Sequence, residues 1–239
     1  MSIEIRRASK IVVAKRRKRR LVRDFSIRVM PGDRVALMST STSEKDVALE
    51  ILGASMLPDT GSVSFTGRVS WPLPSIKFLS IIHSAATNIR FVARLHEVDG
   101  ERLLSRVSAM TGCGDAINFP LKKWPAMKRM ELGYALGACI KFDTYLFDEH
   151  PVLGSEAFQE KCRNFLNSLR PHQSYLVATR SEDVVREFCK TAYILDKGKT
   201  TYFRSVGAAI RAFRGLSKDV AKANEDQEEA EFIEVEDDF

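Results

Sequence analysis

The sequence predicts an α/β fold: a mostly parallel sheet core with an antiparallel β subdomain and an inserted α-helical subdomain. Three observations lead there. The final third alternates short apolar strands with helical stretches, the pattern of parallel strands covered on both faces. The first third is rich in strands and holds one helix. The middle, roughly Ser75 to Lys123, carries apolar residues at helical spacing and reads as an insertion into the core.

Taken in order, Ser2 to Arg7 alternates polar and apolar residues as a strand does. Leu21 to Val29 is a second strand, ending at the Pro31-Gly32 turn. The basic run Lys15 to Arg20 (KRRKRR) lies between them as an expected loop. Arg34 to Met38 is a buried strand. A polar stretch follows, then an apolar helix from about Val47 to Met56. Pro58-Asp59-Thr60-Gly61 is a turn, with short strands at Ser62 to Phe65 and Arg68 to Trp71. Ile89, Val92 and Leu95 mark a helix over Ala86 to Val98, and Leu103, Val107 and Met110 mark another over Gly100 to Met110. Gly112-Cys113-Gly114 breaks that pattern, and Met127 to Ala138 resumes it. Thr144 to Phe147, Ser174 to Thr179, Ala192 to Leu195 and Thr200 to Phe203 are strands. Phe158 to Leu169, Glu182 to Cys189 and Ser205 to Arg214 are helices. Residues 1–215 are expected to form the folded domain and 216–239 an acidic, disordered tail.

The chain has 239 residues, 44% hydrophobic and 28% charged, the balance of a soluble globular protein. No apolar run approaches the ~20 residues that a membrane span needs. The first residues, MSIEIRRASK, lack the apolar core of a secretory signal. Cys113, Cys139, Cys162 and Cys189 are too widely spaced for a metal-ligand pair and read as reduced thiols. The net charge of +6 is uneven: a basic run near the start and a dense acidic stretch over Asn224 to Phe239. The basic run suits anionic lipid head groups or nucleic acid, or is a solvated hairpin. The acidic stretch folds back on a basic face or docks a partner; the sequence does not choose.

Gly32 to Gly67 has the frame of a phosphate-binding loop: strand, polar loop, helix. The pattern needs Gly-x-x-x-x-Gly-Lys-Ser/Thr. Here Ser39 and Glu44 replace the glycines, Lys45 is in place, and Asp46 stands where a magnesium-binding hydroxyl belongs. Glycines let the backbone approach phosphate closely. Two like charges ~4 Å apart at an effective dielectric of ~20 repel by roughly 4 kcal/mol, so carboxylates here oppose a polyanion. On motif grounds alone, a lysine after a glutamate is an ordinary solvated helix start.

The wider chain resembles the ATP-binding subunit of an ABC transporter. The likeness rests on Gly32-Asp33-Arg34-Val35-Ala36-Leu37, Leu57-Pro58-Asp59-Thr60-Gly61, Thr144 to Glu149, and Ile194-Leu195-Asp196-Lys197-Gly198-Lys199. More narrowly, Val69 to Leu73, Asn88 to Phe91, Phe142 to Glu149 and Val185 to Cys189 are similar to the capsular-polysaccharide and O-antigen export branch. The resemblance implies a P-loop NTPase-like fold with ATP and Mg2+ as cofactors. It makes Ser41, Ser43, Lys45 and Asp46 the phosphate-loop positions and Asp148 the metal position. Glu149 falls at the catalytic glutamate and Arg180 at the switch histidine.

The departures from the family run the length of the chain. Ile11-Val12-Val13 offers no aromatic for adenine stacking. Ile76 to Ile82 holds no glutamine, and Ser80 is the nearest counterpart. Lys123-Trp124-Pro125-Ala126-Met127 replaces the signature serine and glycine. Ser155 stands where the family has aspartate. All these losses touch nucleotide binding or turnover. Lys45 is expected to pair with Glu44, Asp46 or Asp148, with Arg180 also in reach of these acids.

The expected function is a degenerate ATP-binding subunit of a polysaccharide exporter, structural or regulatory, with weak or no hydrolysis. It would be cytoplasmic and peripheral to the inner membrane, docked on a permease through the helical insertion. It would form a homodimer, or a heterodimer with a competent paralogue, with lipid contact through Lys15 to Arg20. Two alternatives stay open. One is an active ATPase of the same kind of exporter. The other is a scaffold held to membrane or nucleic acid by the basic segment.

Overall fold

A computed structural model describes residues 2–14 and 17–217, and in it two β-sheets lie on either side of a single helix. The first sheet is antiparallel, in the order β2-β1-β4: β1 Ser2–Ala14, β2 Arg17–Val29 and β4 Thr60–Thr66. The second has six strands in the order β5-β6-β7-β3-β8-β9: β5 Val69–Leu73, β6 Thr144–Asp148, β7 Ser174–Ala178, β3 Arg34–Ser39, β8 Thr191–Asp196 and β9 Lys199–Phe203. Its first five strands are parallel and β9 returns antiparallel to β8.

Helix α1, Thr42–Leu52, is the one between the sheets. Alternation along the strands builds its surroundings. Val35 and Leu37 of β3 face α1, as do Leu146 and Leu176, and Ile3, Ile5, Phe25, Ile27 and Val29 close over it from the antiparallel sheet. The intervening residues Ala36, Met38, Tyr145, Phe147, Tyr175 and Val177 face the opposite side, where the remaining helices pack. Hence the parallel strands are apolar on both faces, as covered strands must be.

That second side carries α2 Ala85–Leu95, α3 Gly100–Thr111, α4 Ala126–Cys139, α5 Glu156–Asn167 and α6 Glu182–Phe188. Residues 75–123 hold α2, α3 and two 3-10 turns, Gly114–Asn118 and Leu121–Lys123. Helix α4 lies close on β5: a Cβ at Gly133 would sit 2.2 Å from the Pro74 carbonyl oxygen, and one at Gly137 2.2 Å from Leu73 Cδ2. A final helix, α7, covers residues 206–217 and buries Ala209, Ile210 and Phe213.

Two local expectations are corrected. Four residues of the basic run, Arg17 to Arg20, are not in a loop, because β2 begins at Arg17, which pairs with Ala14 of β1. Lys18, Arg19 and Arg20 then stand on β2, paired with Val13, Val12 and Ile11, and all three are exposed. Lys15 and Arg16 lie outside the described residues. Helix α1 begins at Thr42 rather than near Val47, because the Ser41 side chain accepts the Glu44 amide and caps it. The acidic stretch Asn224 to Phe239 lies outside the described residues, and α7 runs two residues past the boundary expected at 215.

Candidate functional site

Parallel β3, β6 and β7 end together, which brings three distant segments to one edge of the sheet. Ser39 closes β3, Asp148 closes β6 with Glu149 next in the chain, and Thr179 follows β7. Side chains of a helix lean toward its N-terminus, so Lys45 in the first turns of α1 reaches back over this edge. Its Nζ lies 2.6 Å from Asp148 Oδ1, in contact with Glu149 Oε1, and 4.0 Å from Asp46 Oδ1. The lysine is 3% exposed. Asp148 and Glu149 keep 40% and 53% of their side chains in water.

Burial disfavours the Lys45 ammonium, yet the Asp148 and Glu149 carboxylates outweigh it and hold its pKa above the ordinary lysine value. The lysine therefore stays charged as the centre of an internal ion-pair cluster. Glu149 takes φ 71°, a left-handed conformation costly for a side chain with a Cβ. Its amide donates to Ala178 O at 2.8 Å, and Thr179 Oγ1 donates to Glu149 Oε2 at 3.3 Å. These bonds together with the lysine contact offset the strain and fix the carboxylate toward Lys45.

The loop before Lys45 is closed by its own hydroxyls. Buried Ser39 Oγ donates to Ser41 O at 3.1 Å, and Ser41 N lies 3.2 Å from Ser39 Oγ. Ser41 Oγ accepts the Glu44 amide at 3.3 Å, while Lys45 N donates to Ser41 O at 3.0 Å. Groups that a phosphate loop would aim at a ligand are thus partly spent inside the loop. Glu44 turns away from Lys45 toward the β8–β9 turn. Burial pushes its pKa up, the Gly198 amide pulls it down, and Asp196 raises it again. Its Oε2 is buried without a hydrogen-bond partner.

The expected site residues separate into two groups. Lys45, Asp148 and Glu149 come together, with Asp46 at the rim; Ser41 caps the helix and Ser43 is exposed beside it. Glu44 does not pair with Lys45, and Arg180 does not reach the acids. Thr179, just past β7, is buried and bonds Glu149, whereas the next side chain, Arg180, is exposed. Among the described residues no three His, Cys, Asp or Glu side chains gather as a metal site. A triphosphate with magnesium would meet two carboxylates already holding the lysine and a third, Asp46, in place of a hydroxyl.

Two supporting residues escaped sequence reasoning. Thr179 is one. Glu131 is the other, an acid inside the apolar helix α4, fully buried. Its Oε1 accepts from Ser155 N at 3.0 Å and Ser155 Oγ at 3.1 Å, and its Oε2 meets Lys128 Nζ at 2.7 Å. The signal was a single carboxylate in the otherwise apolar stretch from Met130 to Cys139. Helix α4 itself starts behind Pro125 with no side-chain cap.

No family model matches the chain. It is 23% identical over 214 residues to the capsule polysaccharide export ATP-binding protein CtrD of Neisseria meningitidis serogroup B, covering 90% of this chain and 99% of that protein. It is 27% identical over 186 residues to the polysialic acid transport ATP-binding protein KpsT of Escherichia coli, covering 77% and 85%. The ATP-binding protein BexA of Haemophilus influenzae is 23% identical over 198 residues, covering 83% and 91%. Among solved structures, an ATP-binding subunit of an ABC transporter superposes with a TM-score of 0.75 at 15% identity, covering 89% of this chain and 93% of that one. A dimeric ATP-binding cassette in a post-hydrolysis state, bound to ADP and phosphate, gives 0.71 at 15% identity, covering 85% and 98%.

Proposed function

We propose that this chain, which has the fold of an ATP-binding cassette and is homologous to capsule-polysaccharide export ATP-binding proteins, is the cassette subunit of a cell-surface polysaccharide exporter whose own nucleotide site is closed. The observation that carries the second half is the Lys45 cluster. The one phosphate-loop residue that survives is buried and held by Asp148 and Glu149. Nucleotide would have to break both contacts and accept Asp46 as a neighbour.

The role that follows is structural or regulatory. The chain occupies a cassette position as a homodimer, or beside a competent paralogue. In the family, each composite site joins one chain's phosphate loop to the other's signature segment. This chain spoils one site through Ser39 to Asp46 and the other through Lys123 to Met127, so a mixed pair turns over slowly.

A membrane permease is the proposed partner, through the helical insertion. Bonds from Leu121 N to His83 O and from Lys122 N to Ile81 O tie residues 81–83 to 121–122. Ile81, Ile82 and Phe119, all more than half exposed, lie along this tied segment. An apolar surface of this kind fits a partner's helix better than water. No helix among the described residues is long and apolar enough to cross a membrane, which suits a peripheral cytoplasmic subunit. Exposed Lys18, Arg19 and Arg20 on β2 supply charge for anionic lipid.

ATPase turnover tests the proposal, on the purified chain and on the chain reconstituted with a competent cassette and its permease. The expected result is no release of phosphate by the chain alone and reduced turnover in the mixed assembly. Phosphate release by the chain alone that disappears in Glu149→Gln would overturn it.

A further inference from the structure

At the other end of the same strands lies a second polar site. Arg68 precedes β5 and Lys141 precedes β6, a strand's length from Glu149. Between them and the first two turns of α3 is a cavity of about 270 Å³. Arg68, Arg102, Arg106 and Lys141 line it, and Asp99 is its one carboxylate. Leu103, Val98, Cys139 and Ile140 form an apolar floor.

Among the described residues Arg102, Arg106 and Lys141 make no ion pair. Arg68 is positioned rather than neutralised: its Nη2 donates to His96 O at 3.2 Å and its guanidinium stands 5.5 Å from the Phe142 ring centre. Asp99 is the N-cap of α3, its Oδ1 accepting the Arg102 amide at 2.7 Å, so its charge is directed into the helix start. Four cations and one carboxylate around one concave space leave a net positive field that favours an anion. The positive end of the α3 dipole adds to this field.

We propose that this cavity binds a phosphate-bearing ligand of the size of a sugar phosphate. The ligand's phosphate meets the Arg102, Arg106 and Lys141 side chains, with Arg68 as a fixed wall. Guanidinium groups match phosphate oxygens in pairs. The volume sits at the small end of ligand sites, too small for a protein segment and sufficient for one hexose with its phosphate. The apolar floor suits the sugar's carbon face. The site is independent of Lys45 and of the exporter proposal, since it shares no residue with the β3–β6 edge.

Calorimetry on the full chain tests this with glucose 1-phosphate, inorganic phosphate and glucose as probes. Glucose 1-phosphate is expected to bind more tightly than inorganic phosphate, and glucose not to bind. Arg102→Ala and Arg106→Ala should each weaken binding about tenfold, the loss of one charge-assisted contact. Asp99→Asn keeps a good helix cap and removes the opposing charge, so it should tighten binding several-fold. This gain cannot arise from misfolding. Lys45→Ala should leave binding unchanged. Vesicles containing phosphatidic acid distinguish a lipid head group from a free sugar phosphate: competition with glucose 1-phosphate that vanishes in Arg106→Ala assigns the site to a phospholipid head group. The proposal is overturned if glucose 1-phosphate gives no heat, or if its binding is indifferent to Arg102→Ala, Arg106→Ala and Asp99→Asn alike.

Discussion

Replacing Lys45 with methionine should destabilise the nucleotide-free chain. Methionine fills similar space but leaves Asp148 and Glu149 facing each other across a site built for an ammonium. A pair of unit charges ~4 Å apart at an effective dielectric of ~20 is worth about 4 kcal/mol in gross terms. Two such contacts are lost, while the cost of burying the ammonium, several kcal/mol by itself, is recovered. Water at the half-exposed acids screens what remains. The net loss is about 2 kcal/mol, a fall in Tm of about 4–8 °C for a domain of this size. Differential scanning calorimetry without nucleotide is the assay. The triple variant Lys45→Met, Asp148→Asn, Glu149→Gln should recover most of the loss, because no uncompensated charge is left. The pH dependence has a definite sign. The Lys45 pKa is raised in the folded state, so its contribution is fully present below the unfolded value near 10.5 and is lost only as pH climbs through the higher folded value. An unchanged or higher Tm for Lys45→Met at neutral pH would refute the cluster as a stabilising element.

Other consequences concern the packing around the site. Glu131→Ala strands both Ser155 donors and Lys128 and should cost about 2–4 kcal/mol by urea denaturation. Burial raises the Glu131 pKa, but Lys128 and Ser155 pull it below normal, so this difference should persist above about pH 4.5 and shrink as pH falls through the depressed value. Gly137→Ala, which in an exposed helix would gain about 1 kcal/mol, should instead lose about 1–3 kcal/mol because the methyl collides with Leu73; a stabilised variant would contradict the close α4–β5 packing. Cys113 is partly exposed, whereas burial pushes Cys139 up to about 11 and Cys189 up to about 12. Iodoacetamide on the native chain should therefore label Cys113 first, as read by mass spectrometry, and reach Cys139, Cys162 and Cys189 only on unfolding.

The parallel core was legible because its strands are short apolar runs between helical stretches, and Thr144 to Glu149 identifies its own end by two acids. Local capping was harder to see. Ser41-x-x-Glu44 has the spacing of a capping box, yet the polar string Ser39 to Asp46 resembles a loop, and the helix start was displaced by five residues. The end of the first hairpin was harder to place for a related reason: a run of six like charges looks like solvated loop, and composition does not say that Arg17 to Arg20 pair with Ala14 to Ile11 as strand. The pairing of Lys45 with Asp148 follows once the strand order is known, since α1 starts from the end of β3 and Asp148 ends β6 on the same edge of the parallel sheet, with β7 between them. Glu149 joins them only because its backbone takes a positive φ, which no sequence pattern here signals. The basic cavity was invisible because Arg68, Arg102, Arg106 and Lys141 are scattered over more than 70 positions and meet only in the fold.

Isothermal titration of Mg-ATP into the wild-type chain, with Lys45→Ala and Arg106→Ala beside it, tests the closed site most directly. A closed site gives no heat at millimolar nucleotide that depends on Lys45; any weak heat should fall in Arg106→Ala and so belong to the basic cavity. Micromolar binding abolished by Lys45→Ala would contradict the account, and would make the loop from Ser39 to Asp46 a working nucleotide site.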